Sequence, residues 1–406
     1  MDDSDHHRAG FETYARTGAA RRQLLAAVTP TDGTERVEPR RADGRVVATA
    51  IDADRPVPRY ERTTVDGYAV RAGDTFGASE RSPASLRVTD TVRAGTATRV
   101  HKGSELPAGA DAVVPAEATD LTGGDLAVFE AVPEGRNVKA VGEDVAEGQR
   151  LFEPGRRLRP SDLGLVRAVG HGPVEVYDRP RTSVVPTGEG VVESDPATGE
   201  TVETNGRTVA QYVERWGGEA TRREVVSGGA DAVRAAVERD LDHDVVVTIG
   251  GTSVGERDIV PDVVASLGEV FVHGVALAPG RSAALGAVDG TPVVMLPGPP
   301  VGCIVGAVQF LRPALAALGH ASPAPHPTTE ARLTRKVPSE PGVRTFARVT
   351  VEGDGEGTRT ATPTRTEGAG ALSSVALADG WVVVREEREG YAADEAVAVE
   401  EWEGCA

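Results

Sequence analysis

Three features of this 406-residue chain predict an α/β protein with additional β-rich domains. From about residue 181 a strand, a glycine-rich loop and a helix recur in turn, and that alternation needs a mostly parallel sheet covered by helices. Residues 59–146 instead hold short apolar runs separated by turn residues, with no helical period. Beyond a proline-rich stretch at 320–327, short strands between glycine turns predict a small β barrel. At roughly 100–200 residues per domain, the length allows about two to four domains.

In chain order, residues 10–30 predict a helix with Leu24, Leu25 and Val28 on its apolar face, stopped by Pro30. Arg45 to Ile51 is a short β-compatible run. Val65 to Val70, Ser85 to Val92, Asp111 to Pro115 and Leu126 to Val132 predict the strands of the β-rich domain. Gly148 to Pro186 alternates short apolar segments with Pro and Gly and predicts a connecting lobe. Strand Val184–Pro186 then enters Thr187-Gly188-Glu189-Gly190, and Asn205 to Trp216 is an amphipathic helix capped by Thr204 or Asn205. A helix at 230–240 precedes strand Val245–Ile249, which enters Gly250 to Gly255, and Pro261 suits the first turn of the next helix. Strand Val293–Leu296 enters Pro297-Gly298-Pro299-Pro300 and a helix running to Leu318. Val343–Val351, Ser374–Leu377, Trp381–Val384 and Ala396–Val399 predict barrel strands. The expected domains are therefore 10–36 with 181–320 (α/β), 37–58 with 147–180 (connecting lobe), 59–146 (β-rich) and 327–406 (barrel).

The formal net charge of −18 disfavours phosphate backbones and anionic membrane surfaces as partners, so neither nucleic acid nor membrane is expected. Lysine occurs only at 102, 139 and 336, which leaves 41 of the 44 basic residues as arginine. That balance predicts a halophilic, salt-rich cytosol, where a Debye length of about 3 Å near 1 M salt screens the self-repulsion. Two cysteines build neither a disulfide framework nor a cysteine-rich zinc site, and the acidic start lacks the pattern of a secretory signal. A cytoplasmic protein is expected. His6-His7 is expected to be a solvated terminus.

Ligands of a parallel α/β sheet bind beyond the carboxyl ends of its strands. Thr187 to Gly190, Gly250 to Gly255 and Pro297 to Pro300 all follow such strands and are expected to line one pocket. Glycine lets backbone approach a ligand, and helix N-termini favour anions. Asp66, Glu143-Asp144, Glu203 and Asp258 add carboxylates where folding alone gives little reason for them. Acidic oxygens beside an anionic ligand are reconciled by a bridging Mg²⁺, though Asp66-Gly67 also suits a hairpin turn and Asp258 a helix cap.

Seven ordered motifs carry a resemblance: Val65-Asp66-Gly67-Tyr68-Ala69-Val70-Arg71, Leu106 to Val114, Gly142-Glu143-Asp144, Thr187-Gly188-Glu189, Thr204-Asn205-Gly206-Arg207, Gly250 to Asp258 and Leu296-Pro297-Gly298. In order and spacing the chain resembles the molybdopterin molybdenumtransferases, the family of MoeA and the gephyrin E domain, from about residue 10 onward. The resemblance implies a four-domain subunit in a homodimer, with a cleft shared with the partner chain. It implies insertion of molybdate (or tungstate) into adenylylated molybdopterin, with release of AMP and help from Mg²⁺ or another divalent cation. Other cofactor-assembly proteins are the implied partners. Carried over by motif, Asp66, Asp144, Asp258 and Glu189 are the implied catalytic acids, with Asp66 and Asp258 holding the metal. Thr187, Gly188, Glu203, Asn205, Gly250, Gly251, Ser253, Gly255, Pro297 and Gly298 are implied to bind substrate, and Lys102 and Arg281, which depart from the family pattern, are expected as a rearranged oxyanion or phosphate clamp.

Several motif positions depart from the family pattern. Lys102-Gly103-Ser104 replaces Thr-Gly-Ala, Thr187-Gly188-Glu189-Gly190-Val191 replaces Thr-Gly-Asp-Glu-Leu, and Ala278-Pro279-Gly280-Arg281-Ser282 replaces Lys-Pro-Gly-Lys-Pro. Glu203-Thr204-Asn205 replaces Asp-Thr-Asn, Pro299 stands where Asn is usual, and Gly368-Ala369-Gly370 replaces Gly-Ser-Gly. Lys102 and Arg281 are the cations left to compensate for Ala278. Two alternatives remain open on sequence: a pterin-binding carrier or assembly partner without turnover, and a CinA-like nucleotide hydrolase.

Overall fold

The computed structural model describes residues 14–253, 255, 258–355, 357, 359–365 and 370–404. His6-His7, the first residues of the expected N-terminal helix, and Gly368-Ala369 lie outside the described residues. The chain divides into two compact units, one of Arg36–Asp43 and Val47–Val176, the other of Met1–Glu35, Gly44–Val46 and Tyr177–Ala406.

In the first unit a six-stranded sheet is built from β1 (Gly67–Val70), β2 (Ala84–Val88), β3 (Thr96–Val100), β4 (Ala112–Pro115), β5 (Thr119–Thr122) and β6 (Asp125–Val128), in the order β4-β1-β3-β2-β6-β5. Alternate residues of a strand face opposite sides. Tyr68 and Val70 therefore join one buried cluster with Leu86, Val114 and Leu126, while Ala69 joins a second with Val100, Leu106 and Val113. The runs expected to extend to Val92 and Val132 stop at Val88 and Val128, the first where Thr89 and Thr91 turn back on themselves (Thr89 Oγ1 to Thr91 O, 2.7 Å). A separate cluster of Val47, Ile51, Phe152, Leu158, Val166 and Val174 gathers around the helix Pro160–Ala168.

The second unit contains the α/β layers. Strands β7 (Arg181–Pro186), β8 (Glu219–Arg222), β9 (Val245–Ile249), β10 (Glu269–His273), β11 (Ala284–Val288) and β12 (Thr291–Leu296) lie in the order β8-β7-β9-β12-β11-β10. The first four are mutually parallel, and β11 and β10 add antiparallel neighbours at one edge. The apolar run of β9 is buried on both faces, as a parallel strand under two helical layers requires. Val245, Val247 and Ile249 pack with α1 (Thr17–Ala26), α2 (Asn205–Arg215) and α5 (Pro300–Leu318); Val246 packs with α3 (Gly229–Arg239) and α4 (Val260–Leu267). Helix α5 is long and apolar enough to cross a membrane by length and composition, yet 94% of its apolar window is buried here as the core helix of the sheet.

The C-terminal strands β13 (Thr328–Leu333), β14 (Arg344–Gly353), β15 (Arg359–Arg365), β16 (Gly380–Val384) and β17 (Ala396–Glu400) pair in a closed ring, β14-β15-β13-β17-β16 and back to β14. Closure leaves the ring no open edge. Ser374–Leu377, expected as a strand, instead forms the short helix Ser373–Ala376, where the Ser374 hydroxyl bonds the Ala371 carbonyl at 2.7 Å and closes a local turn.

Candidate active site

After β7 the chain crosses to β8 on one side, and β9 lies on the other, so the strand order reverses between the carboxyl ends of β7 and β9. Such a switch point opens a crevice between diverging loops. A cavity of about 430 Å³ lies there, lined by Thr187, Gly188 and Glu189 after β7, Gly251 and Asp258 after β9, and the segment Val226–Ala230. The amino ends of α3 (Gly228–Ala230) and α4 (Ile259–Val260) both reach its wall. Their dipoles favour an anion, although the first N–H of α4 is taken by the Gly251 carbonyl and Pro261 has none, and the carboxylates of Glu189 and Asp258 border the same space.

The loops are held by backbone bonds across the sheet end. Thr187 N donates to Ile249 O at 2.8 Å, Gly250 N to Leu296 O at 2.9 Å, and Val260 N to Gly251 O at 3.1 Å. Gly250 has φ +100°, and a Cβ there would lie 2.5 Å from the Thr187 carbonyl oxygen. Both the dihedral and the contact demand glycine. Gly250→Ala is expected to lower stability by about 2 kcal/mol or more, read from denaturant unfolding; an unchanged midpoint would refute this steric account. Asp258 Oδ2 accepts from Gly255 N at 3.0 Å, and Asp258 N donates to Gly255 O at 2.9 Å. That double link fixes the carboxylate in a tight loop that also carries Ser253, rather than on the first turn of α4.

Glu203 is buried, with both oxygens engaged. Oε1 accepts from Gly206 N at 2.5 Å, and Oε2 accepts from Arg222 Nε and Nη2 at 3.2 and 2.8 Å. It therefore does the capping at the start of α2, where the side chains of Thr204 and Asn205 were expected to act. Asn205 is released to donate from Nδ2 to the Gly298 carbonyl at 2.7 Å, which ties α2 to the Pro297-Gly298 loop. Arg222 also grips Glu193 at 2.7 Å, and that bond holds the Glu193 carboxyl below the usual carboxylate range. Arg281 is ion-paired with Glu340 and stacks over the Tyr14 ring, 5.7 Å from its centroid. Ser282 Oγ lies 3.2 Å from Thr252 Oγ1, whose carbonyl is 3.0 Å from His273 Nε2.

Asp66, Lys102 and Asp144 belong to the other unit. Asp66 Oδ1 meets Lys102 N at 3.0 Å and His101 Nδ1 at 3.2 Å, bonds that hold this exposed carboxyl below its ordinary range, the backbone bond first. The turn around it is pinned by Thr63 Oγ1 and Ser104 Oγ, each 2.6 Å from the His101 carbonyl. Asp66-Gly67 makes no hairpin. Gly67 opens β1, and a Cβ there would lie 2.0 Å from Val114 O. Lys102 therefore contributes its backbone N–H to Asp66. Asp144 is exposed, and its N–H donates to the Val57 carbonyl at 3.0 Å.

Arg222, Glu193 and the Ser227-Gly228-Gly229 wall escaped the sequence reading. Ser-Gly-Gly before a helix was visible as an anion-loop signal, but the strand ahead of it, Glu219–Arg222, is too polar to be recognised from hydropathy. Among the described residues no group of three or more His, Cys, Asp or Glu side chains is placed to hold a metal by itself.

Family models match almost the whole chain: MoeA N-terminal region (domain I and II) at residues 16–170, probable molybdopterin binding domain at 183–317, and MoeA C-terminal region (domain IV) at 330–402. Molybdopterin molybdenumtransferase 2 of Mycobacterium tuberculosis is 33% identical over 333 residues, covering 77% of this chain and 82% of that protein. A crystal structure of a molybdopterin biosynthesis MoeA protein from Pyrococcus horikoshii superposes with a TM-score of 0.79 at 32% identity, covering 97% of this chain and 100% of that one. A second from the same organism gives a TM-score of 0.83 at 28% identity, over 95% and 99% of the two chains. With three consecutive family models in order and the fold shared along its length, the chain belongs to the MoeA family.

Proposed function

We propose that the protein acts in molybdenum cofactor biosynthesis as a molybdopterin molybdenumtransferase, inserting molybdate (or tungstate) into adenylylated molybdopterin. Water cleaves the phosphoanhydride link to AMP, and the two dithiolene sulfurs displace an oxygen of molybdate as water when they take up the metal. The observation that carries this reading is the switch-point cavity, where two helix N-termini and the Asp258 and Glu189 carboxylates meet. Helix N-termini suit the substrate phosphates, and carboxylates suit a cation bound with them. Matches to the MoeA N-terminal and C-terminal models leave the CinA-like alternative without support.

Hard oxygen ligands fit Mg²⁺, which is usually held by one or two carboxylates together with phosphate and water. Asp258 keeps Oδ1 beyond its bond to Gly255, and Asp66 has both its bonds on Oδ1, so each has an oxygen to offer. A cation on either oxygen would neutralise phosphate charge. Glu203, fully paired inside the protein, acts on substrate through Asn205 and the α2 terminus. The assay is molybdate-dependent AMP release from adenylylated molybdopterin, followed chromatographically; no release with molybdate and Mg²⁺ present would defeat the proposal.

We assign the protein to a salt-rich cytoplasm, with other cofactor-assembly proteins as partners, on its charge of −18 and its three lysines. A homodimer is part of the same reading. Light scattering in molar KCl is expected to give twice the 42.2 kDa chain mass; a monodisperse monomer at micromolar concentration would exclude it.

A further inference from the structure

A second cavity, of about 280 Å³, lies where the linker Pro323–His326 runs past α1, α5 and β14. Its wall carries three arginines, Arg21 from α1, Arg312 from α5 and Arg344 from β14, together with His326. Arg312 lies twelve residues beyond Pro300 on one continuous helix, so at 1.5 Å per residue it stands about 18 Å along the axis from the Pro297–Pro300 loop. This cavity shares no lining residue with the one at the switch point.

Each cation is held in place. Arg21 donates from Nε to the Gln309 carbonyl at 3.0 Å and from Nη2 to Gln309 Oε1 at 2.6 Å. Arg312 approaches His326 Nε2 through Nη1 at 3.1 Å and bonds the Ala324 carbonyl through Nη2. Arg344 pairs with Glu386 at 3.0 Å. Glu400 also lines the cavity, but it accepts from Trp381 Nε1 at 3.1 Å. Burial, then Arg344 and Arg312, push the Arg21 guanidinium below its ordinary range, with Glu386 only partly opposing them. Three positive charges are thus crowded together in one wall.

His326 supplies a separate observation. A guanidinium can only donate, so Nε2 facing Arg312 must accept, and the neutral ring carries its proton on Nδ1. Burial, then Arg312 and Arg21, bring the ring pKa down to about 4, so it is neutral near pH 7. Nδ1 is buried and has no hydrogen-bond partner. A buried donor without an acceptor is costly, and one whose ring feels the Arg312 and Arg21 guanidiniums calls for negatively charged oxygen.

We propose that this cavity is a second anion site, built for a tetrahedral oxyanion of the phosphate, sulfate or molybdate type, free or as the phosphoryl group of a nucleotide. Guanidinium forks match the spaced oxygens of such an ion. The cavity exceeds one water's share of the liquid, about 30 Å³, several times over.

The test is calorimetry on the full-length protein at fixed ionic strength, with inorganic phosphate, molybdate and AMP as separate titrants. Wild type is expected to bind phosphate, with Arg21→Gln and His326→Phe each weakening it about tenfold or more. AMP competing with phosphate for this site assigns it to a nucleotide phosphoryl group, and AMP failing to compete assigns it to the free ion. Phosphate should also raise the melting temperature of wild type more than equivalent chloride does, and that gain should shrink in Arg21→Lys, which keeps the charge but loses the fork. Absence of phosphate binding by wild type, or equal affinity and stoichiometry in wild type and folded variants, would overturn the proposal.

Discussion

Asp258→Ala is expected to lower molybdate-dependent AMP release about 100- to 1000-fold, the usual scale for removing one preorganised group that stabilises transition-state charge. The carboxylate borders the switch-point cavity, and its position is fixed through Oδ2 on Gly255 N at 3.0 Å. Losing that one exposed-loop bond is expected to cost about 1 kcal/mol of stability, so the melting temperature should move little while turnover collapses. Asp258→Asn should rescue the loop through its amide oxygen without restoring the charge. A variant pair that releases AMP at the wild-type rate would remove Asp258 from the reaction.

Asp240→Asn is expected to produce a large loss of stability, about 1–3 kcal/mol, because it removes a buried charge that hydrogen-bonds the half-exposed Arg239, the partly buried Arg223 and the buried Ser183. Asp240 is fully buried just after α3. Its oxygens accept from Ser183 Oγ at 2.6 Å, from Arg223 Nη2 and Nε at 2.5 and 3.1 Å, and from Arg239 Nε and Nη2 at 3.0 and 2.9 Å. Burial alone would raise the carboxyl pKa, but the bonds from Arg239, Arg223 and Ser183 outweigh it and leave it well below the ordinary value. A folded-state pKa depressed in this way contributes stability that is complete above the unfolded value of about 3.9 and is lost as pH falls towards the folded one. Guanidinium unfolding should therefore show the wild-type advantage at pH 7 and its narrowing below about pH 4. A difference under about 1 kcal/mol at pH 7 would show that the network is not coupled to folding. Since Ser183 lies on β7, whose end carries Thr187, slackening of this network should also reach the cavity.

What the sequence determined by itself were the patterns that depend on near neighbours along the chain. Val245 to Ile249 is apolar at four of its five positions, β-branched throughout and bounded by Gly250, which predicted a strand of the parallel sheet, and it is one, buried along its length. Asn205 to Arg215 and Val260 to Leu267 followed from helical periodicity and Pro261, and the glycines of the β7 and β9 loops marked the strand ends where a ligand crevice forms. Ser374–Leu377 misled because four residues carry no period long enough to separate a helical turn from a strand. The tertiary structure alone decided the use of charged side chains. Glu203 resembled a ligand to substrate in its motif, but Arg222 and Gly206 take both of its oxygens. Arg281, an expected anion contact, pairs with Glu340, which is 59 residues away. Arg21 and Gln309 meet across 288 residues, and nothing local to either signals the other. The physical reason is range: hydrophobic period and turn chemistry act within a few residues, whereas the partner and the burial of an ionisable group exist only once distant segments have packed, and those two quantities set its charge state and its chemistry.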